Sequence, residues 1–250
     1  MTANLLERTK RLGLKAAVAD WPRYEKEAWL PPYIEDEERE RDRNSLERRI
    51  RSAHTGFFKP MSHFDWNWPQ EIDRQQIDEL FTFKFLEEKA NVVLVGTNGL
   101  GKSMIAQNLV HSAILKGTSS ARFVKASDML NDLIENDGSF NRRKCLDKWC
   151  RYRLLAIDEV GYMNYDNRFA DLLYEVISGR YQKHSTIVTT NRGYGEWSEI
   201  FPNAACVVTL VDRLVHNAET VLIAGESYRA KEALERASEK QKQRKQAKRK

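Results

Sequence analysis

The chain has 250 residues, 41% hydrophobic and 31% charged, with a formal net charge of +5. That is ample for a real core in one or two domains with a wet, charged surface. No run approaches the ~20 apolar residues of a membrane span, and Met1-Thr2-Ala3-Asn4-Leu5-Leu6-Glu7-Arg8 lacks the apolar stretch of a secretory signal; the expectation is a cytoplasmic protein with no membrane partner, whose Cys145, Cys150 and Cys206 stay reduced.

Residues 1 to about 60 read as helical and highly charged. Leu5, Leu12, Leu14, Ala16 and Ala17 suggest a first segment that Trp21-Pro22 breaks. Tyr24, Trp29 and Leu30 start a second, which Pro31-Pro32 stops, and Tyr33 to about Ala53 forms a third. In the third, the acidic block Glu35-Asp36-Glu37-Glu38 precedes Arg39, Arg41, Arg43, Arg48, Arg49 and Arg51. Two readings stand. One is a solvated helix laced with ion pairs such as Glu47 with Arg51. The other is a DNA-phosphate face made by Arg48, Arg49 and Arg51, with Lys59 beyond. His63-Phe64-Asp65-Trp66-Asn67-Trp68-Pro69 reads as an extended linker pinned to the core by its rings; stacking on a nucleotide or on DNA bases is the alternative. Ile72 to Lys89 reads as one helix, with Ile77, Leu80, Phe81 and Phe85 on one face.

From Asn91 the pattern alternates. Strands are expected at 91–96, 121–126, 154–158, 186–190 and 220–224, with a helix over 168–183 and another capped by Ser127. Such alternation implies a parallel sheet covered on both faces, whose C-terminal strand ends converge at one edge. From Ser227 a helix dissolves into Lys240, Lys242, Arg244, Lys245, Lys248, Arg249 and Lys250, read as a disordered or frayed tail. It serves either solubility or non-specific nucleic-acid contact.

The first strand runs into Gly96-Thr97-Asn98-Gly99-Leu100-Gly101-Lys102-Ser103, and a helix follows. The glycines allow a loop whose N–H groups cradle phosphate, backed by a helix N-terminus. Lys102 would reach the terminal phosphates of ATP, and the Ser103 hydroxyl would hold Mg²⁺. Leu154-Leu155-Ala156-Ile157-Asp158-Glu159 places Asp158 for the Mg²⁺ shell and Glu159 for activating a water. Asn191 ends the strand 186–190, where an amide can hydrogen-bond the attacking water and the γ-phosphate, or form a turn. Arg213 and Arg229 can stabilise transition-state charge, in cis or from a neighbouring subunit, or form surface salt bridges such as Arg213 with Asp212 or Glu219. Arg180 is equally ambiguous.

These motifs, with Gly161-Tyr162, Glu196-Trp197 and Gly225-Glu226-Ser227-Tyr228-Arg229, resemble the IstB-like ATPases, helper proteins of a bacterial insertion-sequence family. Those are similar to the DnaC and DnaI helicase loaders of the AAA+ initiator clade. The resemblance implies an α/β AAA+ domain over residues 64–235, a small all-helical N-terminal domain over 1–63, and a basic tail over 236–250 that the family pattern does not explain. It implies Walker A at Lys102 and Ser103, Walker B at Asp158 and Glu159, sensor I at Asn191, a trans-acting arginine finger at Arg213 and sensor II at Arg229. It further implies ATP-dependent self-assembly on duplex DNA with little sequence preference, and partnership with a DDE-type transposase. A helicase loader is the alternative. Thr97-Asn98 stand where many relatives carry prolines.

Overall fold

The computed structural model describes residues 2–136, 138–162, 167–201 and 205–247. The chain divides into two units, Met1–Arg51 and Ser52–Lys250, so residues 52–63 group with the larger one. Among the described residues, no helix is long and apolar enough to cross a membrane.

The smaller unit is helical: α1 (Thr2–Arg11), α2 (Lys15–Ala19), α3 (Trp21–Tyr24) and α4 (Leu30–Ala53), whose last two residues pass into the second unit. Leu12, Leu30 and Ile34 make its core, with Leu5, Leu14, Trp21 and Tyr24 against it. Pro31 and Pro32 do not stop a helix, as the sequence suggested; they lie in the first turn of α4. There the missing N–H has no intrahelical partner to lose and the fixed φ suits a helix start. The acidic block is largely consumed locally. Glu38 takes Arg8 and Arg11, and Asp36–Arg39, Glu37–Arg41, Glu40–Arg43 and Glu47–Arg51 (3.8 Å) pair along α4. Arg48 is exposed and Arg49 half-buried.

The larger unit contains β1 (Glu71–Ile72), α5 (Arg74–Leu80), α6 (Lys84–Glu87), β2 (Asn91–Gly96), α7 (Lys102–Leu115), β3 (Ala121–Lys125), α8 (Ala126–Glu135) and α9 (Ser139–Cys150). It continues with β4 (Leu154–Val160), α10 (Asn167–Arg180), β5 (Ser185–Thr190), α11 (Trp197–Ile200), α12 (Ala205–Val215), β6 (Ala218–Ala224) and α13 (Tyr228–Ala247). The six strands run in the order β1-β6-β2-β5-β4-β3. All neighbours are parallel except β1, which is antiparallel to β6. The apolar runs alternate faces with the strand period of two. Val93, Leu155, Ile157 and Val188 join Met129, Leu133, Trp149, Leu173, Val176 and Leu210 in one core.

Three further expectations are corrected. Residues 72–89 are not one helix: Ile72 belongs to β1, Asp73 caps α5 by accepting from Gln76 N, and Phe83 takes a left-handed φ of 66° that separates α5 from α6. Ser127 does not cap α8, which starts at Ala126 after extended Lys125. The basic tail is not frayed from its start; α13 runs unbroken to Ala247, through Ala, Glu, Lys, Arg and Gln with no Gly or Pro. Residues 248–250 lie outside the described set.

Candidate nucleotide site

Strand β2 ends at the loop 96–101. Gly99 and Gly101 adopt φ of 83° and 87°, which a side chain at either position would strain. A Cβ on Gly101 would also lie 2.6 Å from Phe64 Cε2, and one on Gly99 2.2 Å from Ser227 Oγ. The loop is strapped by the segment that follows β6, the strand beside β2: Tyr228 N donates to Gly99 O (3.0 Å) and Thr97 Oγ1 to Gly225 O (3.2 Å). Lys102 is buried at the start of α7, and its ammonium donates to Gly96 O (2.6 Å) and Thr97 O (2.8 Å). Burial holds its pKa down to about 8, against an opposing pull from Asp158.

One strand, β5, separates β2 from β4, so the ends of all three strands meet. Asp158 is buried at the end of β4. It accepts from Ser103 Oγ (2.8 Å) and Thr189 Oγ1 (2.5 Å), while burial pushes its carboxyl above the usual range. Thr189 Oγ1 also accepts from Glu159 N (3.0 Å), so one hydroxyl fixes both carboxylate residues. Glu159 sits at a left-handed φ of 63° and its carboxylate pairs with Lys125 (3.0 Å) at the end of β3. Asn191 follows β5 directly; its Oδ1 is buried, with no hydrogen-bond partner among the described residues. An orphaned buried acceptor is uncommon and calls for a reason.

A cleft of about 270 Å³ opens beside the loop. Its lining includes Gly99 to Met104, Glu159, Phe64, Trp68, Tyr162, Tyr228 and Arg229. The aromatic linker is therefore pinned to the core beside the loop. Trp68 Nε1 donates to Glu226 O (2.8 Å), its ring meets Tyr228 edge to face, and the Lys231 ammonium lies 4.3 Å from its centroid. Lys59, flagged in the sequence for DNA, lines this cleft and pairs with Glu232 (3.0 Å). The sequence reading gave no role to Thr189, Lys125 or Tyr162; only the aromatic run carried a signal that could have found the cleft wall.

Two of the three ambiguous arginines, Arg180 and Arg213, separate sharply. Arg180 is fully buried. It donates to Trp149 O (3.1 Å), Cys150 O (3.2 Å), Tyr152 O (2.8 Å), Ser185 O and Thr186 Oγ1 (2.9 Å), and burial lowers its pKa to about 9. It stitches the end of α9 to β5 and cannot reach a neighbour. Arg213 is half-buried on α12, its guanidinium 5.0 Å from the Tyr174 ring centroid and 6.0 Å from that of Tyr181.

Residues 14–236 match the family described as IstB-like ATP binding protein. The chain belongs to that family. Its relatives include a protein of insertion sequence IS232 from Bacillus thuringiensis subsp. berliner, 33% identical over 77% of this chain and 76% of its own length. Another, of insertion sequence IS21 from Pseudomonas aeruginosa, is 31% identical over 77% and 72%. Both are named for ATP binding. Among solved structures, DnaI superposes with a TM-score of 0.53 at 15% identity, covering 66% of this chain and 90% of that one. AMPPCP-bound DnaA from Aquifex aeolicus superposes with 0.51 at 16% identity, over 71% and 56%. This IstB-like chain therefore has the expected α/β AAA+ fold, with helices flanking a mostly parallel sheet.

Proposed function

We propose that the chain is an ATP-hydrolysing AAA+ protein that assembles with copies of itself on duplex DNA and presents that DNA to the transposase of its insertion sequence. The observation that carries the catalytic part is the junction at one sheet edge of the phosphate loop, the Ser103–Asp158–Thr189 network and the unpartnered Asn191 oxygen. Relatives from insertion sequences support the transposition setting.

In this reading Lys102 leaves the carbonyls of Gly96 and Thr97 and meets the phosphates, and the loop N–H groups hold them. Ser103 and Asp158 present two adjacent hard oxygens, a set that fits Mg²⁺, which keeps most of its own waters. Mg²⁺ would supply charge neutralisation of the phosphates. Glu159 leaves Lys125, orients the attacking water and accepts its proton. Asn191 gives that water or the γ-phosphate its amide hydrogen bond. Arg229 contacts the nucleotide in its own cleft. Arg213 leaves its tyrosines for a neighbour's γ-phosphate, a contribution of about 10³–10⁵ in rate where such arginines act. Exposed Arg48 and Arg51, with half-buried Arg49, add phosphate contacts with little sequence preference.

The test is Glu159→Gln. Turnover should fall about 10²–10⁴-fold, while ATP stays bound and particles grown on duplex DNA, followed by light scattering, outlive those of the unaltered chain. Unchanged turnover would remove Glu159 from the chemistry. Assembly that responds to single strands or to a helicase ring, and not to duplex, would assign the chain to helicase loading.

A further inference from the structure

The positive charge of this chain lies where the nucleotide chemistry does not use it. Residues 240–250 carry seven Lys and Arg and no carboxylate. Without those seven, the 41 Lys and Arg fall below the 36 Asp and Glu, and the net charge of +5 becomes −2. The segment also lies beyond residue 236, where the match to the family ends.

The helix backbone carries four of these seven cations, Lys240, Lys242, Arg244 and Lys245; Lys248, Arg249 and Lys250 lie outside the described residues. Helix α13 is rooted beside the phosphate loop: Tyr228 N donates to Gly99 O, Lys231 pairs with Asp65 (3.4 Å), and Glu232 pairs with Lys59 (3.0 Å). From there it continues unbroken to Ala247. At ~1.5 Å per residue, Lys240 lies about 18 Å from the root along the axis and Ala247 about 29 Å. A helix cannot fold those residues back onto the loop, so the anion they meet is not the nucleotide. Ala237 and Ala247 are the only apolar residues from 237 to 250. Such a segment has no face to insert into a bilayer. An acid-free, apolar-poor cationic rod suits a regular array of phosphates.

We propose that residues 240–247 are an arm that binds the sugar–phosphate backbone of duplex nucleic acid, distinct from the N-terminal arginines; it rests on the DNA-binding part of the function proposed above. The experiment compares the unaltered chain with a variant in which Lys240, Lys242, Arg244 and Lys245 become Gln, which matches Lys and Arg in helix propensity; circular dichroism verifies the helix. Both are titrated with a 30-base-pair duplex of arbitrary sequence, by fluorescence anisotropy with a non-hydrolysable ATP analogue, at 50 to 200 mM salt.

Each neutralised phosphate contributes about 0.9 to the slope of log affinity on log salt. Four engaged cations would make the variant's slope shallower by about 3.6. The unaltered chain would then lose roughly 100-fold more affinity across that range. DNA-free ATPase should be the same in both. Equal slopes and affinities overturn the arm while leaving duplex binding standing. So does a loss confined to vesicles of anionic phospholipid, or a fall in DNA-free ATPase. If the unaltered chain itself does not bind duplex, the DNA-binding reading fails first.

Discussion

The assignment of the two arginines is the point at which a single substitution is most informative. Arg180→Ala removes a side chain that satisfies four backbone carbonyls and the Thr186 hydroxyl in a fully buried setting. A buried acceptor left unpaired costs about 1–3 kcal/mol. The loss of a large volume adds a cavity term, while deleting a buried charge offsets part of the sum. A net loss of about 3–5 kcal/mol is expected, a large share of the 5–15 kcal/mol that holds a typical domain together. For a protein of this size that corresponds to a fall in Tm of roughly 6–20 °C. Urea unfolding followed by far-UV circular dichroism should show a lower midpoint at unchanged slope. Arg213→Ala, which removes only two ring contacts, should leave that midpoint within about 1 kcal/mol and instead abolish ATP-dependent assembly. If Arg180→Ala kept the full Tm yet lost assembly, the burial argument would be refuted and Arg180 would be the trans-acting residue.

Two further outcomes are expected. With Lys102 held down to about 8 by burial, nucleotide phosphates favour its charged form. Binding should therefore take up a proton above pH 8, with affinity falling up to about tenfold per pH unit. For the empty protein the sign is fixed by a folded pKa below the unfolded one, so stability rises as pH goes from about 8 toward 10.5. Calorimetry at pH 9 in buffers of different ionisation enthalpy should detect the uptake; equal heats would contradict it. Gly101→Ala places a Cβ at φ 87° and 2.6 Å from Phe64. It should weaken a fluorescent ATP analogue at least tenfold, whereas Gly117→Ala, at φ 96° with open space around it, should carry backbone strain of about 1–2 kcal/mol and leave affinity unchanged.

The apolar runs that became β2 and β4 were legible because a strand buried on both faces is nearly continuous in hydrophobic residues, whereas β5 and β6 showed through their β-branched residues. Strand β1 was not legible, since two residues carry no period and depend on the edge of β6. The break at Phe83 was hidden because a left-handed aromatic has no signature of its own. Pro31-Pro32 misled because the same residues stop one helix or start the next. In the site, the loop, Asp158, Glu159 and Asn191 were picked out by their order along the chain, and the topology brings the ends of their strands together. Arg180 was not: its partners are carbonyls at the end of α9, about thirty residues away in sequence, and nothing in a local pattern marks a cation for burial. Lys125 and Thr189 likewise gain meaning only through the register of β3, β4 and β5.

The Lys102 ammonium, stowed on Gly96 O and Thr97 O, has a kinetic consequence. Hydrogen bonds to a charged group contribute about 1.5–3 kcal/mol each, so the empty loop is held shut by its own side chain. Capture then proceeds in two stages, an encounter in the cleft followed by the swing of the lysine. The capture rate is therefore expected to level off at high ATP concentration instead of climbing without limit, which stopped-flow binding would check. Under the proposed function, a ligand must bring enough negative charge to draw the lysine away, so polyphosphates should be separated from bare nucleosides by speed of closure as well as by affinity.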